Sequence, residues 1–324
     1  MRNPEGIARV LREAGSVCIC CHVNPDGDTV GSALAMRLIL EGMGKHVRVF
    51  CQDKIPDHLA FLSGAGEVLR PEEDTGKYDL FLAVDVSDTG RLGSCDLLRK
   101  RCTHSAQIDH HGTNPGYTEV NSVDGEASAT CCLIREQMKV LHVPMTKEIA
   151  ECLYVGVSTD TGNFSFDCTN SEAFRVMSDL MDTGFRLAEL NMILFREKSK
   201  PQLRLLGKAI SGMRFEADGQ IAVMTLTQKD FRECGALSEH ADTLVNYALE
   251  SQGTRMALLA RENDDGMIKL SLRARAPLTV DDVAAGLGGG GHARAAGISM
   301  EGSLQATTER VLKAMKERLQ KENT

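Results

Sequence analysis

Three short apolar runs in the first third of the chain each end on an ionisable side chain. They are 16-SVCICCH-22, 79-DLFLAVD-85 and 104-HSAQID-109, the last continuing directly into His110 and His111. Runs of this length and composition read as buried strands, and 47-VRVFC-51 is a fourth. Helical patterns alternate with them at Thr29–Met43, 126-EASATCCLIREQMKV-140, 147-KEIAECLYVGVS-158 and 171-SEAFRVMSDLMDTG-184. Strand–helix alternation predicts an α/β fold: a doubly wound, mainly parallel sheet with helices on both faces. Ligands of such sheets bind beyond the carboxyl ends of the strands, where these charged residues fall.

The pattern changes after the polar, basic stretch 196-REKSKPQLRLLGK-208. Strands are expected at 220-QIAVMTLT-227, 255-RMALLARE-262 and 267-MIKLSLRAR-275. Helices are expected at 238-SEHADTLVNYALES-251 and over residues 306–323. A chain of 324 residues also exceeds what one core usually supports. The expected organisation is a domain over residues 1–195, a linker over 196–207, and a second, smaller α+β domain over 208–324. With 42% hydrophobic and 25% charged residues the composition is that of an ordinary globular protein. No window approaches the uninterrupted apolar length of a membrane span, and the N-terminus lacks an apolar export signal, so the expected location is the cytoplasm. The eleven cysteines sit largely in apolar patterns and read as buried free thiols. A net charge of −8 argues against a long duplex nucleic acid as partner but leaves room for a small anionic ligand.

The first strand runs into 22-HVNPDGDTVGS-32, which carries His22, Asp26 and Asp28 within seven residues. The third delivers Asp85, the fourth Asp109, His110 and His111, and 158-STDTGNF-164 supplies Asp160 after a helical run. Taken singly, a PDGD is a surface turn and a His-His pair is solvated. Taken together, six candidate ligands (His22, Asp26, Asp28, Asp85, His110 and Asp160) converge on one sheet edge. Four crowded carboxylates need cations to offset their repulsion. Carboxylate and imidazole without thiolate suit Mn²⁺, with Mg²⁺, Fe²⁺ or Co²⁺ as substitutes. Two such ions can clamp a phosphoryl group during in-line attack by hydroxide. Asp85, on a central strand between the other ligand groups, is the natural bridge. His46, His58, His104, His142 and His240 have no such company and read as ordinary histidines.

The segments 22-HVNPDGDTVGS-32, 84-VDVSD-88, 109-DHH-111 and 159-TDTG-162 resemble, in this order, the four motifs of the DHH phosphoesterase superfamily. The stretch 288-GGGGHARAAG-297 resembles the DHH-associated C-terminal domain. The pairing is similar to RecJ-like exonucleases, nanoRNase/pAp phosphatases of the NrnA type, and cyclic-di-AMP phosphodiesterases. The resemblance implies one metal on His22, Asp26 and Asp85 and another on Asp28, Asp85, His110 and Asp160. It implies that His111 faces the substrate phosphate and that Asp109 supports the histidine pair. It also implies substrate contacts from Arg273, Gly289, Gly290, Gly291 and His292.

Glycines there expose backbone N–H groups that can bind an anion, and His292 can add a donor. The loop is expected as an ordered turn between helical 281-DDVAAGLG-288 and helical 293-ARAAG-297. Ala274 follows Arg273 where the family carries serine, which puts a hydroxyl contact in doubt. The chain has no room for the extra domains of RecJ-type nucleases. At 4% aromatic residues it also lacks their base-stacking groove. It has no membrane or sensory segments, and family II pyrophosphatases lack the glycine-histidine loop. The expected function is therefore a metal-dependent phosphoesterase acting on short oligoribonucleotides or 3'-phosphoadenosine 5'-phosphate, with a homodimer as an expected assembly. A stand-alone phosphodiesterase for pApA or cyclic-di-AMP is the alternative enzyme. A nucleotide-binding sensor on an inactive scaffold is the non-enzyme alternative. A dinucleotide oxidoreductase is disfavoured, because NPDGD stands where GxGxxG would be required.

Overall fold

The computed structural model describes residues 1–322, which form two compact units, Met1–Glu197 and a second from Lys198 onward. In the first unit the order is α1 (Pro4–Glu13), β1 (Ser16–Cys20), α2 (Gly27–Gly42), β2 (His46–Phe50), β3 (Leu80–Val84), α3 (Asp96–Arg99), β4 (His104–Asp109), β5 (Val120–Val123), α4 (Thr130–Leu141), α5 (Lys147–Asp160), α6 (Ser171–Met181) and α7 (Leu187–Asn191). The sheet order is β2-β1-β3-β4-β5, and every pairing is parallel. Strand order reverses at β1, so the crevice between the carboxyl ends of β1 and β3 is the topological switch point. The fifth strand, 120-VNSV-123, is too short and polar to stand out in the sequence. It is a strand because it pairs Ala106 with Val120 through Asp109 with Val123.

Helix α2 is buried along most of its length. A helix apolar all round must be covered on every side. It packs on α5 through glycine: a Cβ on Gly31 would collide with the Cys152 carbonyl. Helices α1, α4, α5 and α6 contribute to the same core, and a smaller cluster on the other sheet face is built around Cys18, Cys20, Phe50 and Phe81.

The second unit contains α8 (Lys200–Ser211), β6 (Arg214–Glu216), β7 (Ile221–Leu226), α9 (Gln228–Cys234), α10 (Leu244–Leu249), β8 (Met256–Glu262), β9 (Ile268–Ala274), α11 (Asp281–Ala285), β10 (Gly290–His292), β11 (Ala295–Met300) and α12 (Leu304–Glu322). Residue 323, the end of the expected last helix, lies outside the described residues. The sheet order is β10-β11-β9-β8-β7-β6, mixed, with only β7 and β8 parallel. Side chains of α11 and α12 cover one face, and those of α8, α9 and α10 cover the other over β7 and β8.

The expected helix at 293–297 is corrected here: Ala295–Met300 is a strand. Ala296 and Ile298 are buried while Gly297 and Ser299 are exposed, a period of two that the alanine-rich sequence conceals. Among the described residues no helix is long and apolar enough to cross a membrane, and all eleven cysteines are free.

Candidate metal centre

His22 lies two residues past the end of β1. Its Nδ1 lies 2.9 Å from the Val23 carbonyl, which turns Nε2 to 3.4 Å from Asp26 Oδ2 and 3.6 Å from Asp85 Oδ2. Asp26 is the N-cap of α2. Its Oδ1 accepts from the N–H groups of Asp28 (3.1 Å) and Thr29 (3.2 Å), leaving Oδ2 toward His22.

Asp28 sits in the first turn of α2 and is fully buried. Its carboxylate accepts from the N–H groups of Thr130 (2.6 Å) and Cys131 (3.0 Å). These belong to the first turn of α4, whose own N-cap, Ala129, has no side chain to offer. Asp28 thus caps a helix about a hundred residues away, where free N–H groups and the helix dipole favour a negative charge. Room for it comes from Gly156, where a Cβ would collide with Cys131 Sγ and crowd Asp28 Oδ1.

Asp85 leaves β3 at φ +61°, a region that aspartate tolerates better than most residues. Thr130 Oγ1 donates to its Oδ1 at 2.9 Å. The carboxylate looks two ways: Oδ2 toward His22, and Oδ1 toward His110 Nε2 at 3.5 Å. His110 Nδ1 lies 3.2 Å from the Ala127 carbonyl. Its Nε2 also faces Asp160 Oδ2 (3.1 Å) and Asp28 Oδ2 (3.9 Å). Asp160 is the last residue of α5. His111 is partly exposed and its Nδ1 is held by Asp109 Oδ1 at 2.8 Å. Asp109 is fully buried and accepts a second bond, 2.6 Å, from Asn114 Nδ2.

The charges are crowded. Burial pushes the Asp28 and Asp85 carboxyls above the usual range, and neighbouring carboxylates add to it, Asp85 and Asp160 for Asp28, Asp26 and Asp160 for Asp85. Burial alone would lower His22. Bonds to Asp26 and Asp85 outweigh it and push the ring up to about 10. His110 also reaches about 10, burial being outweighed by Asp160, Asp28 and Asp85. The bond to Asp109 raises His111.

Without cations this cluster therefore retains protons where divalent ions could replace them. Among the described residues, three groups of atoms are close enough to hold an ion: His22, Asp26 and Asp85; Asp28, His110 and Asp160; and Asp85, His110 and His111. In the third group the His111 nitrogen is already engaged by Asp109. All three offer carboxylate oxygen and imidazole nitrogen and no thiolate, a donor set that fits hard divalent ions.

The structure thus brings all six expected ligands together. Sequence reasoning missed Thr130, Asn114 and Arg91. Arg91 Nη2 lies 3.0 Å from His22 Nδ1. None of the three carries a local pattern; each is recruited by the fold.

In the second unit, His292 on β10 pairs with Ala295 on β11, which pairs with Arg273 on β9. Directly paired residues share a face, so His292 and Arg273 flank the small Ala295 on one side of the sheet. Ala274 points the other way and is buried in the core, so a hydroxyl there would not reach the face of Arg273. Of the glycines, Gly289 and Gly291 are dictated by backbone crowding against residues 295–298 and Gly288 by its φ of +80°. Gly288 and Gly290 both have open space at the Cβ position, but Gly290 has it without a left-handed φ.

Two family models match the chain: the DHH family, N-terminal domain, over residues 16–157, and the DHHA1 domain over residues 218–321. The bifunctional oligoribonuclease and PAP phosphatase NrnA of Thermus thermophilus is 33% identical, covering 97% of this chain and 93% of that protein. Its namesake in Bacillus subtilis is 26% identical, covering 91% and 92%. Among solved structures, an exopolyphosphatase-related protein from Bacteroides fragilis superposes with a TM-score of 0.88 at 26% identity, covering 98% of this chain and 95% of that one.

Proposed function

The chain belongs to the DHH family of phosphoesterases, hydrolases that here carry a DHHA1 domain, and on that footing we propose that it hydrolyses short oligoribonucleotides and 3'-phosphoadenosine 5'-phosphate at a two-metal centre. The observation that carries the reading is the two-way placement of Asp85, with one oxygen 3.6 Å from His22 Nε2 and the other 3.5 Å from His110 Nε2. His22, Asp26 and Asp85 would hold one ion; Asp28, Asp85, His110 and Asp160 would hold the other. The oxygen- and nitrogen-only donor set favours Mn²⁺, with Mg²⁺, Co²⁺ or Fe²⁺ as substitutes. Such ions supply charge neutralisation at the phosphoryl oxygens and activation of a water.

The chain's own groups do the rest. With a cation bound, the carbonyls of Val23 and Ala127 would hold the Nδ1 protons of His22 and His110 and leave each Nε2 free to ligate. His111, oriented by the bond of its Nδ1 to Asp109, donates from its other nitrogen to a phosphoryl oxygen as negative charge develops there. Asp109 favours a proton on that ring and fixes its plane. Arg273, His292 and the loop of Gly289, Gly290 and Gly291, in which the Gly289 N–H is given to the Ala284 carbonyl at 2.8 Å and so shapes the loop, grip the nucleotide part of the substrate, which sets the preference for short chains. The substrate class is supported by what the similar NrnA proteins are named for.

The test is turnover by the purified protein, with and without Mn²⁺, of pAp, pApA, cyclic-di-AMP and RNA from two nucleotides upward. Divalent-dependent hydrolysis that falls with length supports the reading. Hydrolysis that survives chelation, or that prefers long strands, overturns it.

A further inference from the structure

Arg91 lies on the loop that follows β3 and Asp85. Asp88 Oδ1 accepts from the N–H groups of Gly90 (2.8 Å) and Arg91 (3.1 Å), and the Arg91 carbonyl accepts from Val23 N at 2.9 Å. The backbone of Arg91 is therefore fastened to the residue beside His22. Its guanidinium reaches the ring itself, with Nη2 at 3.0 Å from Nδ1. The same ring faces Asp26 and Asp85 with its other nitrogen. Among the described residues, no carboxylate comes within ion-pair distance of the Arg91 guanidinium. A permanent positive charge thus stands at the edge of a carboxylate-rich cluster and is paired with none of it.

The contact it makes instead is one of two that cannot coexist. His22 Nδ1 lies 2.9 Å from the Val23 carbonyl, which can only accept, and 3.0 Å from Arg91, which can only donate. A ring nitrogen does one or the other. If Nδ1 carries hydrogen it serves Val23 and has nothing for Arg91. If Nδ1 is bare it takes Arg91, and the hydrogen is on Nε2, the atom that a cation would need bare. A His22 ready for a cation therefore has no bond to offer Arg91.

We propose that Arg91 is a phosphate-binding residue of the active site. Because a His22 ready for a cation gives it no acceptor, its guanidinium is free to pair with a phosphoryl oxygen of the substrate. The proposal rests on the two-metal reading above. Its chemistry is the usual one for arginine, a planar fork of donors matched to phosphate oxygens. The competing role is purely structural, with Arg91 orienting His22 throughout.

The two roles differ in what Arg91→Ala does to metal and to anion. The measurements are calorimetric titration of the metal-free protein with Mn²⁺, and of the Mn²⁺-loaded protein with inorganic phosphate. The expected result is Mn²⁺ affinity equal to or tighter than wild type, because a competing donor and a like charge are gone. Phosphate should bind about 10–100-fold more weakly, as for one lost charge-assisted bond. Arg91→Lys, which retains the charge without the fork, should recover part of the phosphate affinity. Weaker Mn²⁺ binding in Arg91→Ala at an unchanged melting temperature would make Arg91 a positioning residue for His22 and overturn the proposal. Unchanged phosphate affinity in both variants would overturn it too. Wild-type protein that binds Mn²⁺ and phosphate but hydrolyses no short ribonucleotide would instead overturn the substrate assignment and leave Arg91 where it is.

Discussion

Asp85→Asn is the sharpest perturbation of the proposed centre. It removes one charge and almost nothing else. Asparagine accepts the φ of +61° at this position, where alanine would add about 1–2 kcal/mol of backbone strain. Its Oδ1 can still accept from Thr130 Oγ1. In the metal-free protein the change should not destabilise. Burial and the nearby carboxylates hold the Asp85 carboxyl above its ordinary range.

As pH rises through that range, the unfolded chain releases this proton before the folded one does, so stability falls with pH. Asparagine removes the penalty, and the gain should be present at neutral pH and vanish as pH drops below about 4. With metal the sign reverses. At a concentration a hundredfold above the dissociation constant, each bound ion stabilises the wild type by about 2.7 kcal/mol. For a unit of this size that is roughly 5–11 °C of melting temperature. Asp85→Asn weakens both ion sites at once and should lose most of the shift. Turnover should drop at least about 10³-fold, the equivalent of about 4 kcal/mol of transition-state stabilisation. Scanning calorimetry with and without Mn²⁺, beside initial rates, measures all of this. A variant that still binds two ions tightly and turns over within tenfold of wild type would show that Asp85 is not shared.

Other expectations follow from the same geometry. His110→Ala should lower metal occupancy, because it leaves Asp28, Asp85 and Asp160 facing one another, whereas His111→Ala should bind metal normally and lose about 10²–10³ in kcat; equal metal loss in both would contradict the division. Gly290→Ala should fold normally yet raise KM for pAp, since its Cβ meets only open space, while Gly289→Ala should lower the melting temperature through its collision with the Gly297 carbonyl; a Gly290→Ala enzyme with wild-type KM would remove the loop from substrate binding. Mn²⁺ affinity should rise with pH across the neutral range, because His22 and His110 hold protons up to about 10 in the metal-free protein; calorimetry in buffers of different ionisation heat should detect proton release, and none would argue against displacement at these rings.

The convergence of ligands was legible because strand ends are legible. His22, Asp85 and His110 each follow an apolar run, and a parallel sheet delivers such ends to one edge. Asp26 and Asp28 could be placed near His22 by spacing alone. Their separate duties could not be assigned: Asp26 caps its own helix, whereas Asp28 caps α4, and that depends on how α2 and α5 cross at Gly31 and Gly156. Strand β5 and the hairpin of β10 and β11 were hidden for another reason. Their residues are small or polar, and only pairing with a neighbour makes them strands. Arg91 had no signal in its own neighbourhood, since its relation to His22 is a contact across 69 positions.

The cap that Asp28 provides to α4 has a consequence for how the centre would discriminate between ions. Both of its oxygens are tied to backbone N–H groups of a helix in the core, at 2.6 Å and 3.0 Å, so this ligand has little freedom to follow a change in ionic radius. Asp160 at the end of α5 and Asp26 at the rim are more exposed, and neither is bound to a distant helix. A larger or smaller ion would be accommodated by their movement more readily than by that of Asp28. Tuning the preference between Mg²⁺ and Mn²⁺ would then fall to the helix ends bearing Asp26 and Asp160, while Asp28 would act as the fixed jaw of the vice.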